Sequence, residues 1–306
     1  VPFRFALLLA LLASAMAAPA AAQSRPVPAA GTNHRAPALS AEAVLLLDGE
    51  GRTLYAKNAD LERAPASLVK LMTLYLAFEA VEAGRADLDE LVTVSRHAAT
   101  TPRYRMGLRT GEQVPLRLLL EGVAIASAND AATAVAEHLA GDEATFVDWM
   151  NAKARELGLT ATRFANPHGL PDPLQRSNAR DMAVLTARLV HDHPAVRPIL
   201  GGQTFIYRGR VYARRIPLFH DPLGVQALKT GFTQEAGYNL AVAAWRGGQE
   251  FVMVVLGCRS RTGSFLDAKR LLRYGFVEAG LDTPEPERPR STPRKPIRVR
   301  RTLGRS

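Results

Sequence analysis

Residues 65–84 read PASLVKLMTLYLAFEAVEAG. From Ser67 to Ala83 this segment is too long for a strand and apolar almost all round, which describes a helix buried in a core rather than one lying on a surface. Gly84 stops it. A polar pair interrupts its start: Ser67 and Lys70 stand three residues apart, on one helical face and within side-chain reach of each other. A serine hydroxyl is a weak nucleophile until a base stands beside it, and a lysine serves as that base when its ammonium is destabilised. Burial and a second nearby cation both do this. Taken alone the pattern carries little weight, since about one S-x-x-K is expected by chance in a chain this long. Its plain reading is a Ser helix cap followed by a solvated lysine.

Outward from this helix, Ala43 to Asp48 and Thr53 to Ala56 read as two strands around the turn Gly49–Gly51. On the other side, Leu116 to Ala126 and Asn129 to Ala140 read as helices separated by a break at Ser127-Ala128. Phe146 to Leu157 and Ser177 to Val190 read as two more. The texture then changes. Thr204 to Tyr207 and Arg210 to Ala213 flank Gly209 as a hairpin, and Gln226 to Thr230, Tyr238 to Trp245 and Phe251 to Leu256 read as strands before a closing helix, Ser264 to Phe276. Strands at both ends and helices between them predict an α+β fold. Its antiparallel sheet must gather the two ends of the chain around an inserted helical lobe.

Two further patterns fall on informative places. Ser127-Ala128-Asn129 occupies the break between two helices and offers a hydroxyl and an amide from a short loop, although Asn129 also suits a helix cap. Lys229-Thr230-Gly231 ends an expected strand and supplies a cation, a hydroxyl and a glycine that lets another backbone approach. The ordered set S-x-x-K, S-x-N and K-T-G is the signature of penicillin-binding proteins and class A β-lactamases.

The chain resembles the low-molecular-weight penicillin-binding proteins that are D-alanyl-D-alanine carboxypeptidases. The resemblance rests on residues 65–73 (PASLVKLMT), 127–132 (SANDAA), 166–170 (NPHGL), 229–233 (KTGFT) and 235–240 (EAGYNL). It runs from about Ala43 to Ala279 and implies the penicillin-recognising, β-lactamase/transpeptidase-like fold: a helical lobe against an antiparallel sheet flanked by helices. It further implies Ser67 as nucleophile, Lys70 as its base, kept neutral with help from the field of Lys229, and Ser127 as proton relay to the leaving amine. Asn129, Lys229, Thr230, Gly231 and Thr233 would bind substrate, and the backbone N–H groups of Ser67 and Phe232 would hold the oxyanion. No metal or organic cofactor is needed. The implied partners are peptidoglycan stem peptides as substrates and β-lactams as covalent inhibitors.

Some features depart from the family. A substrate-carboxylate arginine is expected after the last catalytic strand, where Arg259 and Arg261 are both candidates. A small β-rich domain and a terminal amphipathic helix are common after the catalytic domain, whereas here a short basic tail follows. An endopeptidase that cuts crosslinks is the nearest alternative activity. A class A β-lactamase is disfavoured because 159–166 (LTATRFAN) carries no acid to activate water.

The ends of the chain complete the division into segments. Of 306 residues, 47% are hydrophobic and 22% charged, which excludes a wholly disordered, collagen-like or multi-span membrane protein. The net charge of +10 falls to +2 without the eight Lys/Arg between Arg288 and Arg305. The basicity therefore belongs to a tail suited to weak contact with anionic membrane or wall, and it is no nucleic-acid footprint. Arg4, the apolar run Phe5–Ala13 and the small residues to Ala22 read as an export signal, placing the mature protein in the periplasm or cell envelope. The expected segments are a signal at 1–22, a linker at 23–42, the catalytic domain at 43–280 and a Pro/Arg-rich disordered tail at 281–306. Cys258, the single cysteine, reads as a buried thiol, His168 as structural, and His191-Asp192-His193 as a solvated helix end rather than a metal site.

Overall fold

A computed structural model describes residues 36–102 and 104–282. The expected signal, most of the linker and nearly all of the basic tail lie outside them. The chain opens with β1 (Ala43–Asp48) and β2 (Thr53–Lys57), and a 3-10 turn, Ala66–Val69, leads into α1 (Lys70–Glu82). β3 (Leu91–Thr93), α2 (Arg96–Thr100), β4 (Gln113–Pro115) and α3 (Leu116–Glu121) follow, and α3 runs into a π-helical turn, Gly122–Ala126. Next come α4 (Asn129–Ala140), α5 (Glu143–Glu156), α6 (Ala179–Asp192) and α7 (Val196–Gly201). β5 (Thr204–Tyr207) and β6 (Arg210–Ala213) form a hairpin. β7 (Val225–Thr233), β8 (Gly237–Arg246), β9 (Gln249–Cys258) and α8 (Arg261–Glu278) close the fold.

The main sheet has the order β2-β1-β9-β8-β7, antiparallel throughout. β1 pairs with β9 from Ala43↔Leu256 to Asp48↔Phe251, so the two ends of the chain meet at the sheet's centre. Strand periodicity sends alternate side chains to opposite faces. Val44, Leu46, Met253 and Val255 pack with Phe265, Leu272 and Phe276 of α8. Leu45, Leu47, Val252 and Val254 pack with α1, α4 and α6. With a core on both faces, β1 is buried at every position. α1 is buried on all sides from Lys70 to Phe78, as its composition predicts.

Where the structure differs from the sequence reading, the cause is local. α5 and α6 start at their caps, Asp142 and Asn178, whose carboxylate and amide oxygens accept the Thr145 and Asp181 N–H groups; the reading placed their starts at Phe146 and Ser177. β3, β4, α2 and α7 are each too short to show a period. β7 continues past Lys229-Thr230-Gly231 to Thr233 because β8 pairs with it up to Gly237. The end of the expected linker is docked: Asp267 Oδ2 accepts the N–H groups of Ser40 (2.7 Å) and Ala41 (2.8 Å). His193 is buried rather than solvated, 2.7 Å from Glu82 Oε2 and edge-on to the Tyr75 ring. Among the described residues no group of three or more His, Cys, Asp or Glu could hold a metal ion. No helix there is long and apolar enough to cross a membrane.

Candidate active site

Ser67 stands in the 3-10 turn that feeds α1, after Ala66 at φ 50°. Its hydroxyl caps no helix. Lys70, one helical turn on, is completely buried rather than solvated. Its Nζ lies 3.2 Å from Ser67 Oγ and donates to Asn129 Oδ1 at 2.7 Å and to the His168 carbonyl. The Asn129 amide is oriented by its own donation to Pro102 O at 3.0 Å, which leaves the oxygen facing Lys70. Asn129 is thus a ligand of the lysine and not a cap; the capping position belongs to Ala128. A neutral amine has two N–H groups and one lone pair. With Asn129 Oδ1 and His168 O taking the two N–H groups, the lone pair is left for Ser67.

Burial supplies the neutral form. It lowers the Lys70 pKa to about 7, against an opposing pull from Asp130. Burial, and not the expected help from Lys229, is the lowering cause at Lys70; the repulsion between the two amines falls on Lys229. Lys229 is held well below its ordinary value by burial, then by repulsion from Lys70 and Arg214. Lys229 Nζ donates to Ser127 Oγ at 2.9 Å. Ser127 occupies the left-handed conformation (φ 54°) where the π-helical turn ends, which aims its hydroxyl toward β7. The three motifs therefore meet as two contacts, Ser67–Lys70 and Ser127–Lys229, with Asn129 attached to the first.

β7, an edge strand of the sheet, lies against the Ser67 turn at Gly231. A Cβ there would stand 3.1 Å from Pro65 O and from Ser67 N. Thr230 precedes this contact and Phe232 follows it, the latter with its ring against Tyr238. Thr233 Oγ1 accepts the Ala236 N–H at 3.0 Å, closing the turn into β8. Arg261 donates to the Arg215 carbonyl and lies over the Phe265 ring, and Arg259 is exposed. The arginine acting on Lys229 is the half-buried Arg214, which the sequence reading passed over. Its guanidinium donates to Gly202 O (2.8 Å), Ala124 O (3.2 Å), Leu228 O (3.0 Å) and Leu200 O, and burial lowers its pKa to about 10.

Other supports lie inside motifs that sequence flagged without giving them a task. Asn239 Nδ2 donates to Ala64 O (3.0 Å) and Pro65 O (3.2 Å), while its Oδ1 accepts the Gly257 N–H, so one amide joins the start of the Ser67 turn to the sheet. Thr73 Oγ1 donates to Pro167 O at 2.6 Å, which fixes the loop that presents the His168 carbonyl. The His168 ring is buried, accepts the Leu170 N–H, and is held neutral (pKa lowered to about 3) by burial and the neighbouring Lys70. Cys258 is buried and its thiol is pushed up to about 12.

A helical lobe on a five-stranded antiparallel sheet, with a Ser-Lys pair, a Ser-x-Asn loop and a Lys-Thr-Gly edge strand at their junction, defines the penicillin-binding, transpeptidase-like class of α+β proteins. The model of the D-alanyl-D-alanine carboxypeptidase family matches residues 30–260. The D-alanyl-D-alanine carboxypeptidase DacC of Escherichia coli K12 is 40% identical over 79% of this chain, which spans 62% of that protein's length. A D-alanyl-D-alanine endopeptidase of the same strain is 28% identical over 92% of each chain. Among solved structures, penicillin binding protein 5 of Haemophilus influenzae superposes with a TM-score of 0.77 at 35% identity, covering 80% of this chain and 73% of that one. Penicillin-Binding Protein D2 of Listeria monocytogenes in its ampicillin-bound form gives 0.69 at 32%, covering 79% and 100%. The chain belongs to the D-alanyl-D-alanine carboxypeptidase family of serine peptidases.

Proposed function

We propose that the protein is a serine-type D-alanyl-D-alanine carboxypeptidase that removes the terminal D-alanine from peptidoglycan stem peptides and is covalently trapped by penicillin. The observation that carries this reading is the 3.2 Å contact between Ser67 Oγ and a buried lysine nitrogen with a pKa of about 7. Ser67 Oγ attacks the carbonyl of the penultimate D-alanine, and its proton passes to the Lys70 lone pair. The Ser67 and Phe232 N–H groups receive the oxyanion. As the C–N bond breaks, Ser127 gives its hydroxyl proton to the departing amine and is resupplied with the proton that Lys70 took. Water then adds to the ester, Lys70 takes a proton from it, and Ser67 recovers its hydroxyl.

Asn129 holds the peptide in register. Lys229, Thr230, Gly231 and Thr233 form the edge of β7 along which the substrate's carboxylate end lies. Lys70, Lys229 and Arg214 are enclosed here beside a single buried carboxylate, Asp130, and an incoming substrate carboxylate supplies the counter-charge. Export through the segment 1–22 delivers the enzyme to this substrate, with the mature chain beginning near Gln23.

A second reading, an endopeptidase acting on crosslinks, is favoured by the relative that matches 92% of both chains. Rates of D-alanine release from a D-alanyl-D-alanine pentapeptide and of cleavage of a crosslinked peptide dimer separate the two. The carboxypeptidase reading predicts that release is at least about tenfold faster. The reverse order favours the endopeptidase, and loss of neither activity in Ser67→Ala overturns both.

A further inference from the structure

Asp130 is fully buried and takes no part in the steps above. Its Oδ1 accepts the Met106 N–H at 2.9 Å, and its Oδ2 accepts those of Gly107 at 2.8 Å and Leu108 at 3.1 Å. Arg105 Nε lies 3.9 Å from the same Oδ2. An acid in a first helical turn is ordinarily explained by the helix dipole. That explanation covers one bond here, to the Ala131 N–H at 3.0 Å, while the other three leave the helix for the loop.

The preceding residue grips the same loop further back. The Asn129 N–H donates to Tyr104 O at 2.6 Å, and Asn129 Nδ2 donates to Pro102 O at 3.0 Å. The latter bond turns the amide so that Oδ1 meets Lys70. Two consecutive residues of α4 therefore hold Pro102, Tyr104 and residues 106–108, and the Pro102 carbonyl in turn sets the orientation of the group that directs the base.

We propose that Asp130 is a positioning residue: by anchoring the 106–108 backbone it steadies the nearby Tyr104 carbonyl that holds the Asn129 N–H, and through Asn129 it aims the Lys70 nitrogen at Ser67. This inference rests on the reading of Ser67 and Lys70 given above. It also has an electrostatic side. The charged and titratable groups facing Lys70 are Asp130 from α4, Lys229 from β7 and His168 from its loop, with Arg105 beside Asp130 and His97 and Glu143 behind His168. Of these, Asp130 is the neighbour that favours the Lys70 ammonium.

The test compares the full chain with Asp130→Asn and Arg105→Gln, following penicillin acylation against pH, amide exchange at 106–108, and thermal unfolding. An amide at 130 keeps the shape but presents N–H groups where acceptors are required. The proposal predicts exchange at 106–108 at least about tenfold faster, an acylation plateau at least about tenfold lower, and a controlling pKa moved below that of wild type. The downward sign follows because removing the carboxylate removes what favours the ammonium. Arg105→Gln, altered at an exposed side chain, keeps the carboxylate. It should lower the plateau about two- to tenfold with the pKa unmoved or raised. Acylation within twofold of wild type and an unmoved pH profile in Asp130→Asn would overturn the proposal. Should that variant not fold, Arg105→Gln decides, and wild-type acylation and exchange in it overturn the proposal. A wild-type protein that takes no penicillin refutes the reading of Ser67 instead; the exchange rates at 106–108 then decide whether Asp130 anchors the loop.

Discussion

At the scale of the residue, the account turns on which nitrogen carries a proton. With its pKa near 7, the Lys70 amine is increasingly protonated below that value and free above it. Penicillin acylation should therefore rise about tenfold per pH unit below about 7 and level off above it. A flat profile from pH 5 to 9 would exclude Lys70 as the base. Lys229→Ala removes the group that meets Ser127 and that the proposed reaction assigns to the substrate carboxylate, and should cut kcat/KM for a D-alanyl-D-alanine peptide about 10²–10³-fold. A loss below about fivefold would remove Lys229 from the site. Ser67, Lys70 and Lys229 were legible in sequence because residue type and order carry their chemistry. Arg214 was not, since an arginine satisfied by four carbonyls has no local pattern. The paired grip of Asn129 and Asp130 on Pro102, Tyr104 and 106–108 was equally hidden, because that contact joins segments over twenty residues apart.

Elements were legible in proportion to their length. α1 follows from the length and all-round apolarity of its run, and α4 and the strands of the main sheet from apolar runs set between turn residues, whereas β3, β4 and α2 are too short to leave such a trace. The two faces of the sheet also divide the labour. α1 and the turn before it carry Ser67 and Lys70 on one face, and α8 covers the other. Phe276 of α8 is fully buried, with its ring edge-on to Phe251 at 5.0 Å. Phe276→Ala should lower unfolding free energy by about 3–5 kcal/mol in denaturant titrations. Well below its melting point, that variant should still acylate within about twofold of wild type. A selective loss of acylation at unchanged stability would mean that the two faces are coupled more tightly than the packing implies.

For the whole molecule, the site contacts among the described residues are all made between Ala64 and Gly257. The eight basic residues from Arg288 to Arg305 lie beyond it in sequence, and solvent and salt screen charges over about 10 Å at moderate ionic strength. A chain ending before Arg288 should hydrolyse a small soluble peptide within about twofold of the full chain, and lose any salt-sensitive binding to anionic vesicles or sacculi. Failure of peptide hydrolysis in the shortened chain would contradict this separation of catalysis from the tail. The central claim is that Ser67 is the acylated nucleophile. Mapping the adduct left by labelled penicillin with peptide mass spectrometry tests it most directly. The account predicts a single stable adduct on the peptide containing Ser67 that disappears in Ser67→Ala; an adduct elsewhere, or one that survives the substitution, would contradict it.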